Sequence, residues 1–156
     1  MCDLPTEVAD EEIIVRGIMC PSHVKQGKLA IKAAAFKSRP GTDDVSVIRH
    51  SHMGSDFCKS KAKEIANDRA AYAGLAWISA RDIRSAGSKV LDSRSEFCGH
   101  AHIEHGIVAP TLPPNEPPEG PIFEAITERC QALVKMAKYH PDPQPGEQFW
   151  TGPAIG

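Results

Sequence analysis

No apolar run in this chain approaches the roughly 20 residues that a helix needs to cross a bilayer, so no membrane span is expected. The N-terminus, MCDLPTEVADEEIIV, places acidic residues ahead of its first apolar run, the reverse of a secretory signal. A cytoplasmic protein is the expectation. There is little charge of one sign to spare: the formal net charge is −2. Bulk electrostatics therefore give no reason to expect nucleic acid or an anionic membrane as a partner. Only Lys59, Lys61 and Lys63 form a local basic group. No C-x-x-C pair occurs among the five cysteines, Cys2, Cys20, Cys58, Cys98 and Cys130. Their odd number and scatter speak against a disulfide framework and against a zinc ribbon or finger. No H-E-x-x-H motif is present either.

What is present suffices for one folded domain, with 41% hydrophobic residues. Residues 1–11 read as a disordered or loosely docked arm. IIVRGIM, Ile13 to Met19, is a β-branched strand. GKLAIKAAAF, Gly27 to Phe36, suggests a strand near Leu29–Ile31, with alanines equally compatible with helix. DVSVIRH, Asp44 to His50, alternates as a strand does. Ser55 suits a helix N-cap. Phe57, Cys58, Ala62 and Ile65 then recur at helical spacing, which predicts a helix over about 56–73, its lysines on the solvated face, stopped by Gly74. LAWISA, Leu75 to Ala80, is a strand running into a short helix, where Ser79 and Asp82 form a capping box. Lys89–Asp92 is a short strand, and a further one carries Ala101, Ile103 and Val108 as apolar anchors.

Ten of the 13 prolines lie after Val108. PTLPPNEPPEGP, Pro110 to Pro121, reads as an extended linker ending in a proline suited to the first turn of a helix. Ile122, Ile126, Cys130, Leu133 and Ala137 form one stripe of that helix, which ends near His140. The strands cluster without regular strand–helix alternation. That pattern predicts an α+β fold: a mixed or antiparallel sheet of about five to six strands, a central helix and a C-terminal covering helix. The expected divisions are a core over 1–109, a linker over 110–121, a C-terminal helix over 122–140 packed on the core, and an extended tail over 141–156.

Four features carry chemistry. CGHAHIEHG, Cys98 to Gly106, sets Cys98, His100, His102 and His105 within eight residues. In a strand, Cys98, His100 and His102 share one face. If the strand ending at His50 pairs with it, His50 and His52 join them, and zinc or another divalent ion becomes the expected cofactor of a hydrolase or nuclease. The alternative is a sheet face whose imidazoles bond to their neighbours. Cys98 near imidazole is also a nucleophile candidate, although no nucleophile signature surrounds it. Arg16, inside an apolar strand, can hold a phosphate or carboxylate bidentately, which suggests nucleotide or NAD binding; the alternative is an arginine on an exposed strand face or paired with Asp43, Asp44 or Asp92. Phe149 and Trp150, beyond the proline linker, can anchor in a partner or dock on their own domain.

Two resemblances add to this. Arg16 with AAAF resembles the nucleotide-binding edge of ADP-ribosyltransferase-like folds, without the Tyr or Glu partners. The order VRGI, AAAF, DVSVIRH, GLAWISARDIR with KVLDS, and GHAHI, over residues 13–107, resembles small uncharacterised bacterial domains with an R-x-I strand, an A-F step, a V-S-V-like strand and an H-A-x-I strand. The second resemblance implies a bacterial intracellular accessory protein, in a defence or conflict gene cluster, and no particular reaction. The leading expectation is a soluble interaction module working through protein–protein contacts.

Overall fold

The computed structural model describes residues 1–25 and 29–156. The fold is α+β. Six antiparallel strands, β1 (Ile13–Cys20), β2 (Asp44–Arg49), β3 (Ala71–Ser79), β4 (Lys89–Asp92), β5 (His100–Glu104) and β6 (Lys138–Pro141), make one sheet in the order β4-β5-β2-β1-β3-β6. The helices are α1 (His50–Met53), α2 (Ser55–Ile65), α3 (Ala80–Ser85) and α4 (Pro121–Met136). No helix of the described residues is long and apolar enough to cross a membrane.

Alternation along each strand serves two cores, because successive side chains point to opposite faces. Ile14, Ile18, Val45, Val47, Ala101 and Ile103 face α3 and α4, whose Ile83, Ile126, Cys130 and Leu133 complete that core. Val15, Met19, Ile48 and Leu75 face the other way, against Cys58 and Ala62 of α2. Gly17 lies where β1 passes under α2: a β-carbon there would sit 2.7 Å from that of Ala62. Local signals set several boundaries as expected. The Ser79 hydroxyl accepts from the Asp82 amide at 3.1 Å and starts α3, and Pro121 opens α4.

Other expectations are corrected. The predicted helix over 56–73 ends at Ile65, because the Asn67 side chain accepts from the amides of Arg69 and Ala70 and turns the chain into β3. Gly74 lies inside β3, where a side chain would collide with His140 and Pro141 of β6. The C-terminal helix stops at Met136 rather than near His140, since Lys138–Pro141 pair with β3 as an edge strand. Of the segment 27–36, Gly27 and Lys28 lie outside the described residues. Leu29 is exposed, Ile31 makes only an isolated bridge to Val24, and Ala33–Phe36 form a 3-10 turn. Val108 is exposed beyond the end of β5.

The N-terminal arm is docked, not loose. Arg49 is fully buried and bonds Glu12 at 2.8 Å through both Nε and Nη2, Asp92 at 2.7 Å, and the carbonyls of Pro5 and Glu7. Arg94 holds the carbonyls of Cys2, Leu4 and Pro5. These two guanidiniums bring Cys2 to Cys98, and the pair forms a disulfide across 96 residues of chain. The expectation of no disulfide fails because the pairing depends on tertiary docking that cysteine spacing does not encode.

Candidate functional site

The four ligand-type residues of CGHAHIEHG have four separate occupations. The Cys98 sulfur is bonded to Cys2, which removes it as a nucleophile. His105 is buried between Ser88 and Phe36: Nε2 meets the Phe36 carbonyl at 2.7 Å and Nδ1 meets the Ser88 hydroxyl at 2.8 Å. A carbonyl only accepts, so Nε2 carries the proton and Nδ1 accepts from serine. Burial pushes this imidazole below its ordinary pKa, and the neutral ring acts as a tie between segments. His100 is buried with Nδ1 on the Ser93 hydroxyl, and burial lowers its pKa too, helped by the neighbouring His102. His102 remains half-buried, with Nδ1 3.6 Å from the Asp44 carboxylate. Ala101 and Ile103 face the core, as the alternation predicts.

His50 and His52 sit on α1, not on a strand face. His50 bonds the Ser55 hydroxyl at 2.8 Å, and His52 lies 3.5 Å from Glu12. The four-histidine grouping expected for zinc is therefore divided between α1 and β5. Among the described residues, no group of three or more His, Cys, Asp or Glu side chains is arranged to hold a metal ion.

The structure draws other residues together around Arg16. The β1–β2 ladder pairs Ile14 with Arg49 and Val15 with Ile48. At the next residue of β1 the Arg16 side chain takes up the bonding: Nη1 donates to the Ser46 carbonyl at 3.1 Å and Nε to the Ala35 carbonyl at 3.0 Å. Both partners are neutral. None of the expected carboxylates, Asp43, Asp44 or Asp92, pairs with it; Asp92 is taken by Arg49 and Arg94. Burial lowers the Arg16 pKa to about 10, and the group stays cationic at neutral pH. VRGI, AAAF and DVSVIRH thus meet at one guanidinium, with GHAHI alongside.

Arg16, Ser46, Ile65 and Glu96 form a shared wall between two adjoining cavities. The first, about 220 Å³, is mostly apolar and includes Val15, Val47, Ile48, Phe97 and His100. The second, about 500 Å³, adds Lys37, Arg39, Asp44 and His102. Two rings line the first, Phe97 and His100, 4.9 Å apart between centroids; Phe57 lies 5.8 Å beyond Phe97, and His102, of the second cavity, 5.0 Å beyond His100. Lys61 sits 4.5 Å from the Phe97 centroid. The first chamber is thus mostly apolar, while the second sets the cations Arg16, Lys37 and Arg39 against the carboxylates Asp44 and Glu96, with Arg16 common to both. Lys37, Arg39, Glu96 and Phe97 escaped the sequence reading, since loop and turn residues carry no periodic signal.

The tail folds back in cis. Trp150 packs beside the α2 core, its amide bonds Asp56 at 2.8 Å, and its indole N–H donates to the Pro153 carbonyl. Lys59, expected on a solvated helix face, is fully buried and pairs with Asp142 at 2.9 Å. It also donates to the carbonyls of Gln144 and Phe149, each at 2.8 Å. The Phe149 ring itself stays 60% exposed, beside Met53 and Phe57.

Comparison of the chain with protein-family models, with curated proteins and with solved structures yields no match.

Proposed function

We propose that this domain is a ligand-binding module whose Arg16 cleft takes a nucleotide, with the phosphate in the second chamber and the base in the first. The observation that carries this reading is the Arg16 guanidinium: half-buried, bonded among the described residues to two neutral carbonyls and to no carboxylate, and open to a cavity that also holds Lys37 and Arg39. A bound phosphate supplies the missing countercharge, and a guanidinium fork suits its oxygens. Phe97 and His100 offer ring faces and edges to a base. The sequence expectation of nucleotide or NAD binding through Arg16 belongs to the same reading.

The test is a thermal-shift panel of inorganic phosphate, nucleoside mono-, di- and triphosphates and NAD against wild type and Arg16→Met. Ligand at 100 times its dissociation constant stabilises by about 2.7 kcal/mol, which at this chain size raises the melting point by roughly 5–10 °C. A nucleotide that shifts wild type and leaves Arg16→Met unmoved supports the reading. No shift with any member of the panel at millimolar concentration defeats it.

A second reading, an accessory module working through protein contacts in a bacterial cytoplasmic assembly, is favoured by the exposed Phe149 ring on a tail otherwise fixed in place. Phe149→Ser should then abolish co-purification of the partner while leaving the melting point within about 1 °C, as expected of surface substitutions. Retention of the same partner by Phe149→Ser would exclude that surface.

A further inference from the structure

The Arg16 cleft holds more than a binding site requires. Lys37, Arg39, Glu96 and His102 line one cavity with Arg16. Glu96 is exposed and makes no ion pair among the described residues, so its oxygens are available as acceptors. His102 presents Nδ1 to the Asp44 carboxylate. With Nδ1 turned toward Asp44, the other ring nitrogen, Nε2, is the one left to meet a ligand. A carboxylate base, an imidazole acid and three cations in one cavity are the complement for moving a proton onto and off a phosphodiester whose charge is held in place.

Resting on the nucleotide reading above, we propose that the cleft cleaves single-stranded RNA by transesterification, with Glu96 and His102 as its acid–base pair. The ribose 2′-hydroxyl oxygen attacks the adjacent phosphorus while the Glu96 carboxylate takes its proton. The bond from phosphorus to the 5′-oxygen breaks, and that oxygen receives a proton from Nε2 of the His102 imidazolium. Arg16, Lys37 and Arg39 hold the phosphate oxygens as negative charge builds on them. The products are a 2′,3′-cyclic phosphate and a 5′-hydroxyl end, with no oxidant, reductant or added water. RNA fits because its own hydroxyl supplies the nucleophile. Phe97 in the first cavity and His102 in the second are half-buried rings beside these cations, the combination of aromatic and cationic side chains that grips single strands.

The experiment incubates the full chain, in EDTA, with an end-labelled single-stranded RNA of mixed sequence and with its all-deoxy counterpart. The same preparations are run through the nucleotide thermal-shift panel. Wild type should cut the RNA, leave cyclic phosphate ends and spare the DNA. Glu96→Gln and His102→Ala should each lose 100-fold or more in rate, since one acid or base contributes about 10²–10⁴-fold, while unfolding cooperatively on melting. Wild-type protein that shifts with nucleotides yet leaves RNA intact overturns the cleavage proposal and keeps the binding reading. Protein that does neither overturns both. Cleavage that persists in both variants, cuts the DNA equally, or leaves 5′-phosphate ends overturns the assigned chemistry.

Discussion

Replacing Lys59 with methionine should cost this protein about 4 kcal/mol. The lysine ammonium and the Asp142 carboxylate are both fully shielded from solvent and lie 2.9 Å apart. Nζ also serves the carbonyls of Gln144 and Phe149, while Asp142 accepts from the Tyr72 hydroxyl at 2.6 Å and from the Gln144 amide at 2.8 Å. Methionine fills most of the volume and removes the charge. What remains is a buried carboxylate without its cation, and breaking such a pair costs about 3–5 kcal/mol. Two carbonyls also lose a donor, at about 1–3 kcal/mol each when they stay dry. The tail can swing those two into water, which removes their penalty and leaves the cost of the broken pair, about 3–5 kcal/mol. At this chain length each kcal/mol lowers the melting point by roughly 2–4 °C, so a fall of about 10 °C is expected by circular dichroism. Limited proteolysis should cut within residues 143–156 first. Adding Asp142→Asn to Lys59→Met should recover part of the loss, because no bare charge is then buried. A Lys59→Met protein that melts within about 2 °C of wild type, a difference under roughly 1 kcal/mol, refutes the claim that this pair clamps the tail.

Three further outcomes follow from the same geometry. Cys2→Ser, or reduction of wild type, should destabilise by about 2–5 kcal/mol in a reversible urea titration, as removal of a native disulfide does; no change in midpoint would mean that Arg49 and Arg94 hold the arm unaided. Gly74→Ala should push β6 off β3, since a methyl group there meets the His140 carbonyl, and the amides along Lys138–Pro141 should lose hydrogen-exchange protection ahead of the other strands. Stability should also fall with acid in two windows. Burial, with Arg16 nearby, lowers the His23 pKa to about 4 from an ordinary value of about 6.5. The unfolded chain therefore binds a proton that the folded one refuses, and stability present above pH 6.5 drains away between about 6.5 and 4. His50, His100 and His105, lowered first by burial, add in the same sense. Glu12, Asp92 and Asp142 are held below the ordinary carboxylate range: burial pushes each up, and the bonds to Arg49, to Arg94 with Arg49, and to Tyr72 with Lys59 outweigh it. Their contribution is present above about pH 4 and lost below it. Melting points against pH should show both limbs, with the first flattened in His23→Gln; an unchanged slope there would remove His23 from the account.

Local pattern carried the elements whose buried positions follow from neighbours in sequence. β1 and β2 were legible from alternating β-branched residues, α4 from the Ile126, Cys130 and Leu133 stripe, and α3 from the Ser79 cap. Long-range tertiary contacts defeated it elsewhere. Lys138–Pro141 has the composition of a helix end and becomes a strand only because β3 offers an open edge. Lys59 reads as a surface lysine until the tail returns to cover it, and Cys2 reads as a free thiol until Arg49 and Arg94 seat the arm. The candidate site was half legible. Arg16 stood out because a guanidinium within an apolar strand needs an explanation, and His102 because of strand alternation. Ser46 was read as a strand residue, while the backbone carbonyl it lends to Arg16 has no signature. Glu96 and Phe97 come from the irregular segment between β4 and β5, where no period marks which side chain turns inward.

Isothermal titration of the full chain with a nucleoside diphosphate, beside Arg16→Met and Arg16→Lys, tests the central claim most directly. Wild type should give a saturable heat with one site per chain. Arg16→Met should give none, and Arg16→Lys should bind more weakly, because an ammonium keeps the charge but not the fork. Equal titration curves for wild type and Arg16→Met, or a wild type that gives no heat, would contradict the assignment of this cleft as a phosphate site.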